Sequence, residues 1–134
     1  MTTDAGLGAA KDTVLVVDPQ VLVRMAIAQY LRDCGYRVVE AAGAGEAVVI
    51  LQHRDMRLDV VLLALDGSGS APVFALSHWI RANRPGVGVI LAGTPARAAT
   101  AAGELCEQGP TLAKPYEPAA LIERIRRLLA DRAD

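Results

Sequence analysis

The residues of this chain that could carry chemistry stand at the ends of short apolar runs. Asp18 follows the run 13–17, and Asp66 follows the run 60–65. Gly93 and Thr94 follow the run 87–92, and Lys114 follows the run 110–113. An apolar run of this length, bounded by turn residues, reads as a strand buried on both faces of a parallel sheet. Ligands of open α/β sheets bind beyond the carboxyl ends of the strands. The groups reaching that edge are carboxylates, a hydroxyl and an amine. The third run, Asp59-Val-Val-Leu-Leu-Ala-Leu-Asp66, puts Ala64 at its end. A methyl group is neither acid, base nor nucleophile, so the position where chemistry is expected has none.

The other reactive side chains are scattered. His53 and His78 have no second His, Cys or acid at metal-ligand spacing, and both read as surface residues. Cys34 and Cys106 lack a Cys-x-x-Cys spacing and read as two buried or half-buried thiols. Gly43-Ala-Gly45 follows a strand, as a dinucleotide fingerprint would. The third small residue falls at Val48 and no acidic residue stands at the expected place further on, so it reads as a small-residue helix entry.

The elements that must position these groups follow from length and pattern. With 134 residues the chain is one domain, long enough to bury a core. It is 52% hydrophobic with a formal net charge of -1, so neither disorder nor a global field for nucleic acid is expected. No run approaches the ~18 apolar residues of a membrane span, and the N-terminus lacks the basic and apolar regions of a signal peptide. A cytoplasmic protein is expected. Residues 1–11 read as a disordered tail and 12–134 as the domain. Asp18-Pro19 reads as an N-cap and first helical position, for a helix running to about Cys34 and stopped by Gly35. A strand follows at 36–40, then a helix from 42 to about 54, then the strand at 59–65. A flexible loop is expected at 66–71 and a helix from Pro72 to about Asn83. After the strand at 87–92, Thr94-Pro95 opens an alanine-rich helix to about Cys106, expected to pack weakly. A fifth strand at 110–113 and a helix from Pro118 complete the chain. That helix carries an apolar stripe of Leu121, Ile122, Ile125, Leu128 and Leu129, and turns Glu123, Arg124, Arg126, Arg127 and Arg132 to solvent. Strands alternating with helices over short loops give an α/β fold.

Several stretches together resemble the receiver domain of bacterial two-component response regulators. They are Val14-Leu-Val-Val-Asp18, Leu31-Arg-Asp-Cys-Gly-Tyr-Arg-Val-Val-Glu-Ala41, Gly45-Glu-Ala47, Asp59-Val-Val-Leu-Leu63 and Lys114-Pro-Tyr116, in order over nearly the whole chain. The resemblance implies a flavodoxin-like, doubly wound five-stranded parallel sheet of order 2-1-3-4-5 with five helices. It also implies a phosphoryl-accepting carboxylate after the third strand, with two acidic residues after the first strand to hold Mg²⁺. A Ser or Thr is implied after the fourth strand and a Lys after the fifth.

This sequence departs from that pattern. The acceptor position is Ala64, the acidic pair is Asp18-Pro19, and the hydroxyl position is Gly93 with Thr94 one residue later; Lys114 alone matches. Asp66 points to the same face as residue 64 but lies ~6–7 Å further along a strand. It reads as a loop-opening residue, with a displaced acceptor at Asp66 or Asp18 as the alternative. Asp18 and Lys114 are expected to pair directly or through water, with Mg²⁺ binding lost or weak and no enzymatic activity. The remnant pocket is Asp18, Ala64, Asp66, Gly93, Thr94 and Lys114. The expected function is that of an atypical stand-alone receiver: a phosphorylation-independent interaction module. Its partners would be a sensor histidine kinase, another response regulator, or a second copy bound through the fourth helix, fifth strand and fifth helix. Direct binding to nucleic acid or membrane is not expected. A small-ligand site in the emptied pocket is a further alternative.

Overall fold

The computed structural model describes residues 13–64, 70–107, 120–121 and 123–127. Four strands form one sheet: β1 (Thr13–Val17), β2 (Arg37–Ala41), β3 (Val60–Leu63) and β4 (Gly88–Leu91), in the order β2-β1-β3-β4. All pairings are parallel. β1 and β3 are buried along their whole length, while β2 and β4 are partly open. Their runs of Val and Leu suit this central position, because branched side chains pack well on a pleat covered on both faces. The fifth strand expected at 110–113 lies outside the described residues, as do the tail 1–11, Asp66 and Lys114.

Helices cover both faces, and strand alternation decides which core each residue joins. Leu15, Val17, Val61 and Leu63 face α2 (Ala44–Leu51) and α3 (Ser70–Asn83), packing with Ala47, Leu51, Leu76 and Ile80. Val14, Val16, Val60 and Leu62 face the other way. They pack with Ile27, Tyr30 and Leu31 of α1 (Val21–Asp33), and with Ala98, Ala102 and Leu105 of α4 (Pro95–Glu107). Leu121 and Ile125, from a last helical stretch at 120–121 and 123–127, join this second core. Exposed Arg124, Arg126 and Arg127 leave that stretch on its outer side as expected, with Glu123 paired to Arg126 at 2.9 Å.

Local chemistry sets the element ends. α1 ends in a full Schellman motif: Tyr36 N–H donates to Leu31 O at 3.1 Å and Gly35 N–H to Arg32 O at 3.0 Å. Gly35 takes φ 97°, a conformation that costs a residue with a Cβ ~1–2 kcal/mol. Gly35→Ala is therefore expected to lower unfolding free energy by about 1 kcal/mol, read by urea denaturation. At the other end the helix starts later than the sequence suggests. Asp18 does not cap it; its Oδ1 accepts Gln20 N–H at 2.8 Å in a local turn across Pro19, and α1 begins at Val21. α3 begins at Ser70 rather than Pro72, so residues 70 and 71 are helical and not loop. The first four helical N–H groups need no intrahelical acceptor, so Pro72 is tolerated in the first turn.

α4 differs most from expectation. It is not weakly packed: Ala98, Ala99, Ala101, Ala102, Gly103, Leu105 and Cys106 are all buried against the α1 side of the sheet. Small side chains let the two helices approach closely. The expected free thiols are a disulfide, Cys34–Cys106, with Cα atoms 5.3 Å apart and a sequence separation of 72. Cys34 is the C-cap of α1 and Cys106 lies in the last turn of α4, so the bond ties the ends of the two helices.

Beside the bond, buried Tyr36 donates its hydroxyl to Leu105 O. Burial pushes this phenol above its ordinary value of 10.0, and negative Asp59 adds to the push. The native state thus holds the proton more tightly than the unfolded chain. Its contribution is intact below about pH 10 and is lost as pH rises through the native value. Melting temperature is expected to fall more steeply above that pH in the wild type than in Tyr36→Phe.

Candidate functional site

The site is built by register. Val17 lies level with Leu63, and Leu63 with Leu91, so the three adjacent strands β1, β3 and β4 end on one line. The ladder runs one rung further: Ala64 N–H donates to Val17 O at 2.8 Å and Ala92 N–H to Leu63 O at 2.9 Å. Asp18 N–H donates to Ala41 O of β2 at 3.0 Å. Asp18, Ala64 and Gly93-Thr94 therefore meet at one edge of the sheet, as the sequence suggests.

Asp18 is only 3% exposed. Besides Gln20 N–H on its Oδ1, its carbonyl accepts Arg24 Nη1 at 2.9 Å, and Arg24 Nε reaches Glu40 Oε1 at 3.1 Å. Glu40 also takes Arg32 at 3.2 Å. This Arg24–Glu40–Arg32 group fixes the β1–α1 turn against β2. Ala64 is half-buried and packs against the α1 and α4 core, continuing the alternation of Val60 and Leu62. Thr94 directs its hydroxyl into α4, accepting Arg97 N–H at 3.1 Å as the N-cap expected from Thr94-Pro95. Gly93 is exposed, and a Cβ built on it meets no atom within 4 Å. Space therefore does not require glycine there, and a side chain at position 93 would meet no atom at its Cβ.

A divalent cation at this edge would need oxygen ligands. Among the described residues the edge offers the buried carboxylate of Asp18, while Pro19 has no side-chain oxygen; Gln20 Oε1 nearby in sequence is buried and unpartnered. Mg²⁺ needs near-octahedral oxygen ligation and commonly one or two carboxylates with further oxygen donors. Among the described residues no cluster of three or more His, Cys, Asp or Glu could hold a metal. His53 and His78 are exposed and remote from one another in the sequence, as expected of surface residues.

The surface beside the edge is apolar. Val21, Leu22 and Met25, on the first turns of α1, are 50%, 46% and 52% exposed. On the α2–α3 side a groove of about 320 Å³ is lined by Ala44, Gly45, Val48, Ala75, Leu76 and Trp79. The hydropathy pattern identified the buried face of α1 but gave no weight to the outward Val21, Leu22 and Met25. Their spacing of one and four residues was the available signal. No helix among the described residues is long and apolar enough to cross a membrane.

No family model matches the chain, and no curated protein matches it. Solved structures do. The chemotaxis response regulator CheY4 of Vibrio cholerae is 23% identical with a TM-score of 0.56, covering 88% of this chain and 98% of that one. A response regulator from Thermotoga maritima is 22% identical with a TM-score of 0.56, covering 90% and 98%. A CheY-like receiver domain protein from Methanospirillum hungatei is 23% identical with a TM-score of 0.51, covering 92% and 98%. At these identities the likeness is one of fold: the chain has the flavodoxin-like α/β fold seen in response regulator receivers.

Proposed function

We propose that this chain is an atypical receiver, a module of two-component signalling that works through protein contacts without accepting a phosphoryl group. The observation that carries the reading is Ala64, the residue that register places between Asp18 and the end of β4. Phosphoryl transfer in this fold needs an oxygen nucleophile there and a cation to neutralise charge. A methyl group supplies neither, and Pro19 removes a second oxygen. The transfer relies on positioning, and an error of about 1 Å can cost about a hundredfold in rate. A carboxylate elsewhere on the edge is therefore a poor substitute. On this reading the protein is not an enzyme and needs no Mg²⁺.

Exposed Val21, Leu22 and Met25 support a role in protein contacts, because apolar groups clustered on a surface mark interaction sites. A sensor histidine kinase or another response regulator is the partner class that goes with the fold. A homodimer would use the outer sides of α4 and of the helical stretch at 120–121 and 123–127, which lie on the same face of the sheet as α1. The test is incubation with acetyl phosphate and Mg²⁺, followed by intact mass and by binding to candidate kinases. The reading expects no phosphoryl adduct and binding unchanged by the donor. A stoichiometric, acid-stable and base-labile adduct would overturn it.

A further inference from the structure

We propose that the Cys34–Cys106 bond is a thiol–disulfide exchange site, through which a dithiol reductant releases the α4 helix and so resets the rim of the strand-end edge. The inference is independent of whether any phosphoryl group is accepted. It rests on where the bond lies and on what else holds α4. The helix is 13 residues long and buries mainly Ala98, Ala99, Ala101, Ala102 and Gly103, with Leu105 as its one large apolar anchor. The helix is closely packed, yet each alanine removes little apolar surface from water, so its burial stabilises docking less than large side chains would. Among the described residues, two further ties lie at its C-terminal end: the disulfide and the Tyr36 hydroxyl on Leu105 O. Its N-terminal end is Thr94, the cap and also a rim residue of the edge that holds Asp18 and Ala64. One rigid element therefore joins the redox-active pair to the edge.

The exchange balances with the reductant alone. A thiolate of the dithiol attacks one cysteine sulfur, breaking the Cys34–Cys106 bond and forming a mixed disulfide. The second thiol of the reductant then displaces that cysteine and closes a cyclic disulfide. Two electrons pass to the protein and the two cysteine sulfurs each end with a proton. Cys34 and Cys106 are 0% and 1% exposed, so attack must follow a local opening of the last turn of α4. Reduction thus selects the open helix, and reoxidation traps the docked one.

The test uses the full chain, oxidised and then equilibrated with dithiothreitol under native conditions. Thiols are counted by alkylation and intact mass, and amide exchange is followed along the chain. The expected result is reversible appearance of two thiols, with protection across Ala98–Cys106 falling by at least about tenfold while β1 and β3 hold theirs. Cys34→Ala and Cys106→Ala are each expected to show the reduced pattern with or without dithiothreitol. Thiols that stay free after oxidation, a bond that resists native reduction, or protection lost uniformly through the sheet would each overturn the proposal.

Discussion

Ala64→Asp is expected to make the protein less stable without Mg²⁺ and to give it a Mg²⁺ response that the wild type lacks. The residue is half-buried and packs toward the α1 and α4 core, so a carboxylate there loses water. By register it also lies level with Asp18, which is 3% exposed, on the neighbouring strand end. Placing two like charges on one partly buried edge is expected to cost about 1–3 kcal/mol. A divalent cation reverses that cost because it interacts favourably with both charges. At a hundredfold excess over its dissociation constant it would restore about 2.7 kcal/mol. The measurement is thermal or urea unfolding of both proteins, with and without Mg²⁺. An equal Mg²⁺ response in the two would mean that the wild-type edge already binds the cation, and that residue 64 does not control it.

Loss of the disulfide carries the largest expected stability change. The bond closes a loop spanning 72 residues. On the chain-entropy account a loop of that length restrains the unfolded chain by about 4 kcal/mol. The double variant Cys34→Ala with Cys106→Ala is therefore expected to unfold at lower urea, by an amount near that figure. Wild type kept reduced should fall close to it, because both proteins lack the restraint on the unfolded chain. Equal stability of oxidised wild type and double variant would mean that the bond contributes nothing to the fold.

Much of this was legible in the sequence because the strands are short, branched and bounded by turn residues. The four described strands fall within one or two residues of the positions their apolar runs suggest, and Thr94-Pro95 opens α4 as its chemistry dictates. Gly35 reads correctly as a helix stop because a left-handed residue after Cys34 closes the last turn. Asp18-Pro19 misleads, since the same side chain that can cap a helix can also make a tight turn with the N–H two residues on. The disulfide was hidden for a topological reason. α1 and α4 are both 13 residues long and start at the same sheet edge, which puts their last turns at one level. The two cysteines meet only because both helices lie on one face of the sheet, and nothing local in the alanine-rich stretch specifies that face. The same placement accounts for α4 being buried where its composition suggested loose packing.

With Ala64 at the acceptor position, the strand-end edge is expected to accept no phosphoryl group. The most direct test is an amide NMR spectrum of the labelled protein with Mg²⁺, then with Mg²⁺ and beryllofluoride, a mimic of an aspartyl phosphate. No saturable shifts are expected at Asp18, Ala64, Gly93 or Thr94, nor at Asp66 or Lys114. Saturable shifts centred on those residues would contradict that expectation, and would make the protein a working phospho-receiver with a displaced acceptor.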